Sequence, residues 1–297
     1  MHPLPEPRPR RPRLFSLVPR ALVVLGALAA AAVQAQGADD DAGPDRGTAT
    51  PRPLWEAGLV AIGATQAAYP GSAERVNRSL VLPWAVYRGR VVRAEGGNVG
   101  VRAARTEQAE LDVGFAASFG SSGSGRGVRS GLPAIGNLVE FGPRLRWRLG
   151  DFGGGRLGAS LPLRGVFDIS NGFGYRGLAF EPALAWRTRV AGSNLLLGAG
   201  LLVGDRKLND TFYGVPTALA TATRPVHEAR AGLIATRVGL TFTRRLAEDW
   251  TLFGFVRSDH LGGSANLASP LVERRNTQAV GIGLSWTAAR SERPAEP

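Results

Sequence analysis

Few residues in this 297-residue chain are suited to chemistry. There are three histidines, His2, His227 and His260, and no cysteine. That removes disulfides, thiolate metal sites and a cysteine nucleophile. Ser258-Asp259-His260 places the three residue types of a hydrolytic triad side by side. Adjacency is not triad geometry: on a strand Ser258 and His260 share one face and Asp259 takes the other. The sequence has no Gly-x-Ser-x-Gly elbow and no His-Glu-x-x-His segment. The glycine-rich run 120–131 lacks the Lys-Ser/Thr ending of a phosphate cradle and reads as an outer loop. The expectation is therefore a protein that is not an enzyme, with no cofactor and no bound metal.

Binding chemistry is better represented. The stretch Asp205, Arg206, Lys207, Asn209, Asp210, Phe212 and Tyr213 mixes both charges, amides and aromatics within one connection. It could engage a partner, fold back as a plug, or stand as a solvated loop with one aromatic anchor. Tyr69, Pro70 and Gly71, in another long connection, join it as candidates. The net charge is +12, and Lys207 is the only lysine. Nearly all the basic charge is arginine in an Ala- and Gly-rich chain, which points to composition bias more than to a polyanion site. Nucleic acid is not an expected partner. Arg144, Arg146, Arg148, Arg164 and Arg187 nevertheless fall on common polar faces.

Those faces are the clue to the elements beneath them. In residues 139–149, Val139, Phe141, Pro143, Leu145, Trp147 and Leu149 alternate with Glu140, Gly142, Arg144, Arg146 and Arg148. A helix would scatter the arginines around its whole cylinder. A strand gives one lipid-compatible face and one wet face. The same period recurs through 111–119, 157–163, 178–186, 195–203 and 280–286. Short connections alternate with long ones at 65–78, 120–137, 169–175, 205–227 and 260–276, so all long loops fall on one side. This predicts an all-β, antiparallel transmembrane β-barrel of about 12 strands, with about 10 as the alternative count. The six tryptophans mostly lie near strand ends, as interfacial girdles would require, with core packing the competing role. Pro143 and Pro182 should mark bulges or locally open pairing.

The N-terminus gives an address. Five arginines precede an apolar stretch from Ala21 to Val33 and the small-x-small site Val33-Gln34-Ala35. The apolar core is about 13 residues, short of the roughly 20 that a spanning helix needs. Residues 1–35 are expected to be a cleaved signal peptide, 36–53 a flexible leader, 54–286 the barrel and 287–297 a C-terminal tail. Export without a later apolar helix leaves a closed barrel as the way into a membrane, here the Gram-negative outer membrane and its lipid.

Several segments add up to a resemblance. Trp55-Glu56-Ala57-Gly58-Leu59 is followed by Tyr69-Pro70-Gly71-Ser72-Ala73-Glu74, Leu82-Pro83-Trp84 and Tyr87-Arg88-Gly89. Then come Gly131-Leu132-Pro133, Gly142-Pro143, the loop Gly204 to Val215 and Ser269-Pro270-Leu271-Val272. This ordered set, from Trp55 to Trp286, resembles the MipA/OmpV family of MltA-interacting outer-membrane proteins. The resemblance implies an outer-membrane barrel acting as a scaffold between a murein lytic transglycosylase and a murein synthase. Other members are linked to osmotic or antibiotic response and to adhesion. A small pore with a basic, anion-preferring lumen is the alternative, carried by the five arginines.

Overall fold

The computed structural model describes residues 53–294, apart from 89–92, 96–97, 101–103, 107, 119–126 and 171. The expected signal peptide, nearly all of the leader and Phe119 thus lie outside the described residues. The period-two segments form one antiparallel sheet. In chain order its strands are β1 (Trp55–Ala67), β2 (Arg75–Arg88), β3 (Arg93–Glu95), β4 (Asn98–Gly100), β5 (Ala104–Arg105), β6 (Ala109–Ser118) and β7 (Leu138–Phe152). They continue as β8 (Gly155–Asp168), β9 (Gly174–Phe180), β10 (Ala183–Val190), β11 (Ser193–Gly204), β12 (Gly232–Arg245), β13 (Trp250–His260) and β14 (Asn276–Arg290). Among the described residues one α-helix, α1 (Arg206–Tyr213), lies between β11 and β12.

Apart from β4 with β5 and β9 with β10, each strand pairs with its chain neighbours, and β1 also pairs with β14. β4 lies against β6, and β5 pairs with β6, so the sheet closes on itself. With β9 and β10 as one stave and β4 and β5 as another, the barrel has the expected twelve. Closure leaves no open edge, the condition for crossing lipid with strands. Among the described residues no helix is long and apolar enough to cross a membrane.

The barrel is inside-out relative to a soluble protein. Phe141, Trp147, Leu161, Leu163, Leu184, Leu197, Val280 and Ile282 are exposed on its outer face. Asp112, Arg164, Asp168, Thr243, Asp259, Thr277 and Ser285 are buried within it. Phe141 and Trp147 stand six residues apart, about 20 Å along a strand. That is close to the roughly 25 Å apolar band of outer-membrane barrels.

Four tryptophans, Trp55, Trp147, Trp250 and Trp286, are exposed at the short-turn end, and Trp250 stacks on Trp286 at 6.1 Å. Trp84 departs from the girdle expectation. It points inward among Val60, Ile62, Val86 and Phe253 and donates its Nε1–H to the Leu59 carbonyl at 3.2 Å.

The prolines behave as the missing N–H requires. The β7–β8 ladder skips from the Phe141–Gly165 pair to the Arg144–Pro162 pair, opening around Pro143 without a change of register. Pro182 interrupts the stave between β9 and β10, again in register against β8. The last strand runs to Arg290, beyond Trp286 where the alternation stops. Pairing continues past it, with Ser291 donating to the Trp55 carbonyl and Leu54 to the Arg293 carbonyl. Much of the expected tail therefore pairs alongside β1.

Candidate functional site

The long connections fold together and close one end of the barrel. Their centre is α1. Asp205 caps it by accepting the Leu208 N–H at 2.8 Å, and Gly214 ends it by donating to the Asp210 carbonyl at 2.9 Å. Leu208, Asn209, Phe212 and Tyr213 form one buried face, spaced as successive turns require. Leu208, Phe212 and Tyr213 of that face pack with Tyr69, Ile135, Leu138, Ile234 and Leu261 into the largest hydrophobic cluster among the described residues. In a lipid-facing barrel the conventional core has thus moved to the loop end.

Polar bonds join the loops across long sequence distances. The Tyr69 hydroxyl donates to the Leu271 carbonyl at 2.8 Å, and the Tyr213 hydroxyl to the Pro70 carbonyl at 2.9 Å. Ser269 donates to the Tyr213 carbonyl at 2.8 Å. Asn266 is a hub: its amide donates to Asn209 Oδ1 and to the Arg230 carbonyl, both at 2.8 Å, and its Oδ1 accepts the Arg230 N–H at 2.8 Å. Arg224 donates to the carbonyls of Val128, Ser130 and Leu219. Arg129 donates to the Phe212 carbonyl and lies 5.4 Å above the Tyr69 ring. Burial pushes the Tyr69 hydroxyl up to about 12, against the lowering pull of Arg129. Burial raises Tyr213 further and lowers Arg129.

Below this cap, charged side chains pair along the inner wall of the barrel. Arg144 makes a bidentate pair with Asp112 at 3.0 and 2.7 Å, and Arg146 reaches Glu110 and Asp112. Arg164 pairs with Glu140 at 3.3 Å and with Glu181. Glu181 also takes Arg237, which grips Asp259 at 2.7 and 3.1 Å. Arg257 approaches Asp259 at 3.7 Å. On the intervening β11 the inward position beside Arg237 is Gly200, which leaves room for the Arg237 side chain to reach Glu181. Opposite charges are thus interleaved through the lumen, and they offset the desolvation that any lone one would suffer.

The loop candidates named from sequence meet in this cap, mostly as its interior. Tyr69, Gly71, Asn209, Phe212 and Tyr213 are buried, Pro70 supplies a carbonyl, and Asp205 is the helix cap. Arg206 and Asp210 face solvent, with Arg206 paired to Glu228 at 3.2 Å. Of the proposed basic face, Arg144, Arg146 and Arg164 lie in the paired network, Arg148 is exposed toward the turn end, and Arg187 is half-buried. Sequence reasoning did not identify Glu181, Arg237 or Asp259 as paired charges of the lumen, nor the Asn266 hub. Ser258, Asp259 and His260 do not assemble: Asp259 is buried on Arg237, while His260 faces out and shares a 2.6 Å contact with Asn276.

Residues 58–288 match the family described as MltA-interacting protein MipA. No curated protein matches. Among solved structures, the NanC porin is similar at 10% identity, covering 77% of this chain and 98% of its own, with a TM-score of 0.37. The translocator domain of autotransporter NalP from Neisseria meningitidis matches at 13% identity, over 89% of this chain and 99% of its own, with a TM-score of 0.43. Outer membrane phospholipase A from Escherichia coli matches at 11% identity, over 89% and 98%, with a TM-score of 0.34.

Proposed function

Since the chain belongs to the MltA-interacting protein MipA family, we propose that this outer-membrane barrel is a non-enzymatic scaffold that holds a murein lytic transglycosylase together with a murein synthase. The observation that carries the reading is a lumen capped by packed loops and lined by paired charges. The loop cap and the interleaved ion pairs use the interior for rigidity, leaving the surface to do the work. Short turns such as Gly153-Gly154 and Ala191-Gly192 give the periplasmic end a stiff rim on which partners would dock, together with the leader 36–53. A free-standing pore with a basic lumen fits less well. It needs unpaired arginines along an open path, and Arg144, Arg146 and Arg164 each face a carboxylate.

The test is retention of both murein enzymes on the folded, immobilised barrel. Capture of the transglycosylase and the synthase in one complex is the expected result. Failure to retain either would remove the scaffold reading.

A further inference from the structure

The outer face of the barrel is not uniform at its loop end. On β7, β8 and β9 the lipid-facing side ends in an aromatic cluster. Phe141 stacks on Phe167 at 4.9 Å, and Phe167 meets Phe173 at 5.4 Å and Tyr175 at 5.5 Å. Phe141, Phe173 and Tyr175 are exposed. Phe173 holds a left-handed backbone, with φ 63°, a strained conformation for a bulky residue. Across the barrel, the corresponding outward positions of β13, β14 and β2 are His260, Asn276, Gln278 and Asn77, all polar and exposed. A girdle serving only the membrane interface would surround the barrel. Among the described residues this one is confined to one wall.

A cation sits on the same wall. The Lys207 ammonium lies 4.7 Å over the Tyr175 ring, at the foot of α1. Arg206 is paired with Glu228, and Arg176 with Asp168 at 2.7 Å. Lys207 makes no ion pair among the described residues. An ammonium above outward-facing rings, at the level where the acyl region meets the headgroups, complements a lipid carrying phosphate on a sugar. The rings take the acyl chains and the ammonium takes the phosphate. We propose that Phe141, Phe167, Phe173, Tyr175 and Lys207 form a binding site for a phosphorylated glycolipid of the outer leaflet.

Because Lys207 is the only lysine, an amine-reactive reagent reports on the site in the wild-type protein, with labelling read on the peptide that contains it. Diphosphorylated lipid A, its dephosphorylated form and inorganic phosphate are each added to the barrel in neutral detergent. Diphosphorylated lipid A should slow Lys207 labelling about tenfold when nine sites in ten are filled. The dephosphorylated lipid and inorganic phosphate should leave the rate unchanged. No protection, equal protection by the dephosphorylated lipid, or equal protection by inorganic phosphate would each overturn the proposal. As a second measure, Lys207→Gln should lose phosphorylated lipid that co-purifies with the wild type. Undiminished lipid on a variant that keeps the gel mobility of the folded barrel would also overturn it.

Discussion

Single side chains in this protein are tied to partners far away in sequence, and that makes their loss expensive. Tyr69 is the clearest case. Its hydroxyl, raised from 10.0 to about 12 by burial, binds the Leu271 carbonyl from inside the cap. A raised pKa means that the native state favours the neutral phenol. The stabilisation is complete below about pH 10 and is lost as pH rises through about 12. The loops should loosen over that window, seen as tyrosinate absorbance rising together with protease access to residues 261–275. Tyr69→Phe should remove the part of that transition due to Tyr69 and cost about 1 kcal/mol for the lost bond. Asn266 is the more severe position. Asn266→Ala leaves Asn209 Oδ1 and the Arg230 backbone without their partner inside the cap. The expected loss is about 2–3 kcal/mol per orphaned buried group at most. It should show as a lower temperature at which the compact gel band gives way to the unfolded one. An unchanged transition would mean that the cap does not depend on this hub.

Strands were legible in the sequence because their outer face must be apolar and their inner face wet at every second residue. Phe141 to Leu149 shows the rule without help from any neighbour. The helix was harder. The segment RKLNDTFY spans just over two turns, and its single i, i+4 apolar pair, Leu208 and Phe212, is too short a pattern to separate a helix from a loop. The end of β14 was hidden for a different reason. Thr287, Ala288 and Ala289 have no strong polarity contrast, and the register to β1 shifts between Ala57 and Gly58. The ion pairs were beyond reach because each needs the register of the sheet: Asp112 and Arg144 are opposed only through the β6–β7 pairing. Contact between helix and wall is settled by one glycine. Gly177 on β9 has φ 126°, and a Cβ there would lie 2.3 Å from Asp205 Oδ1 and 2.5 Å from the Leu208 nitrogen. Gly177→Val should push the foot of α1 off the wall and break its N-cap. The barrel should still insert, while proteolysis within residues 205–231 becomes rapid. Continued resistance there would show that α1 tolerates a displaced start.

At the scale of the whole molecule, the number of staves sets the problem that the loops and charges solve. Twelve strands spaced by about 4.8 Å and tilted by about 40° give a backbone diameter of about 24 Å. Side chains of ordinary length leave a hole about 10 Å across in such a ring, wide enough to leak small solutes. The chain narrows it twice, with the hydrophobic cap around α1 and with the arginine–carboxylate pairs on the wall below. The two layers differ in how they fail. The cap is a loop structure and can be removed without touching a strand. The pairs are anchored on the strands, and removing one partner leaves a buried charge, at about 3–5 kcal/mol. Replacing residues 206–229 with a short Gly-Ser linker should therefore leave a stable barrel whose conductance in a planar bilayer stays low, because the paired Arg237 and Glu181 still project into the lumen. Adding Glu181→Ala and Arg237→Ala together, so that neither charge is left without its partner in that pair, should open a steady current. If removal of the cap alone gave the full current, the charged layer would not be a barrier. If the combined variant stayed closed, the lumen would be filled by something other than these two layers.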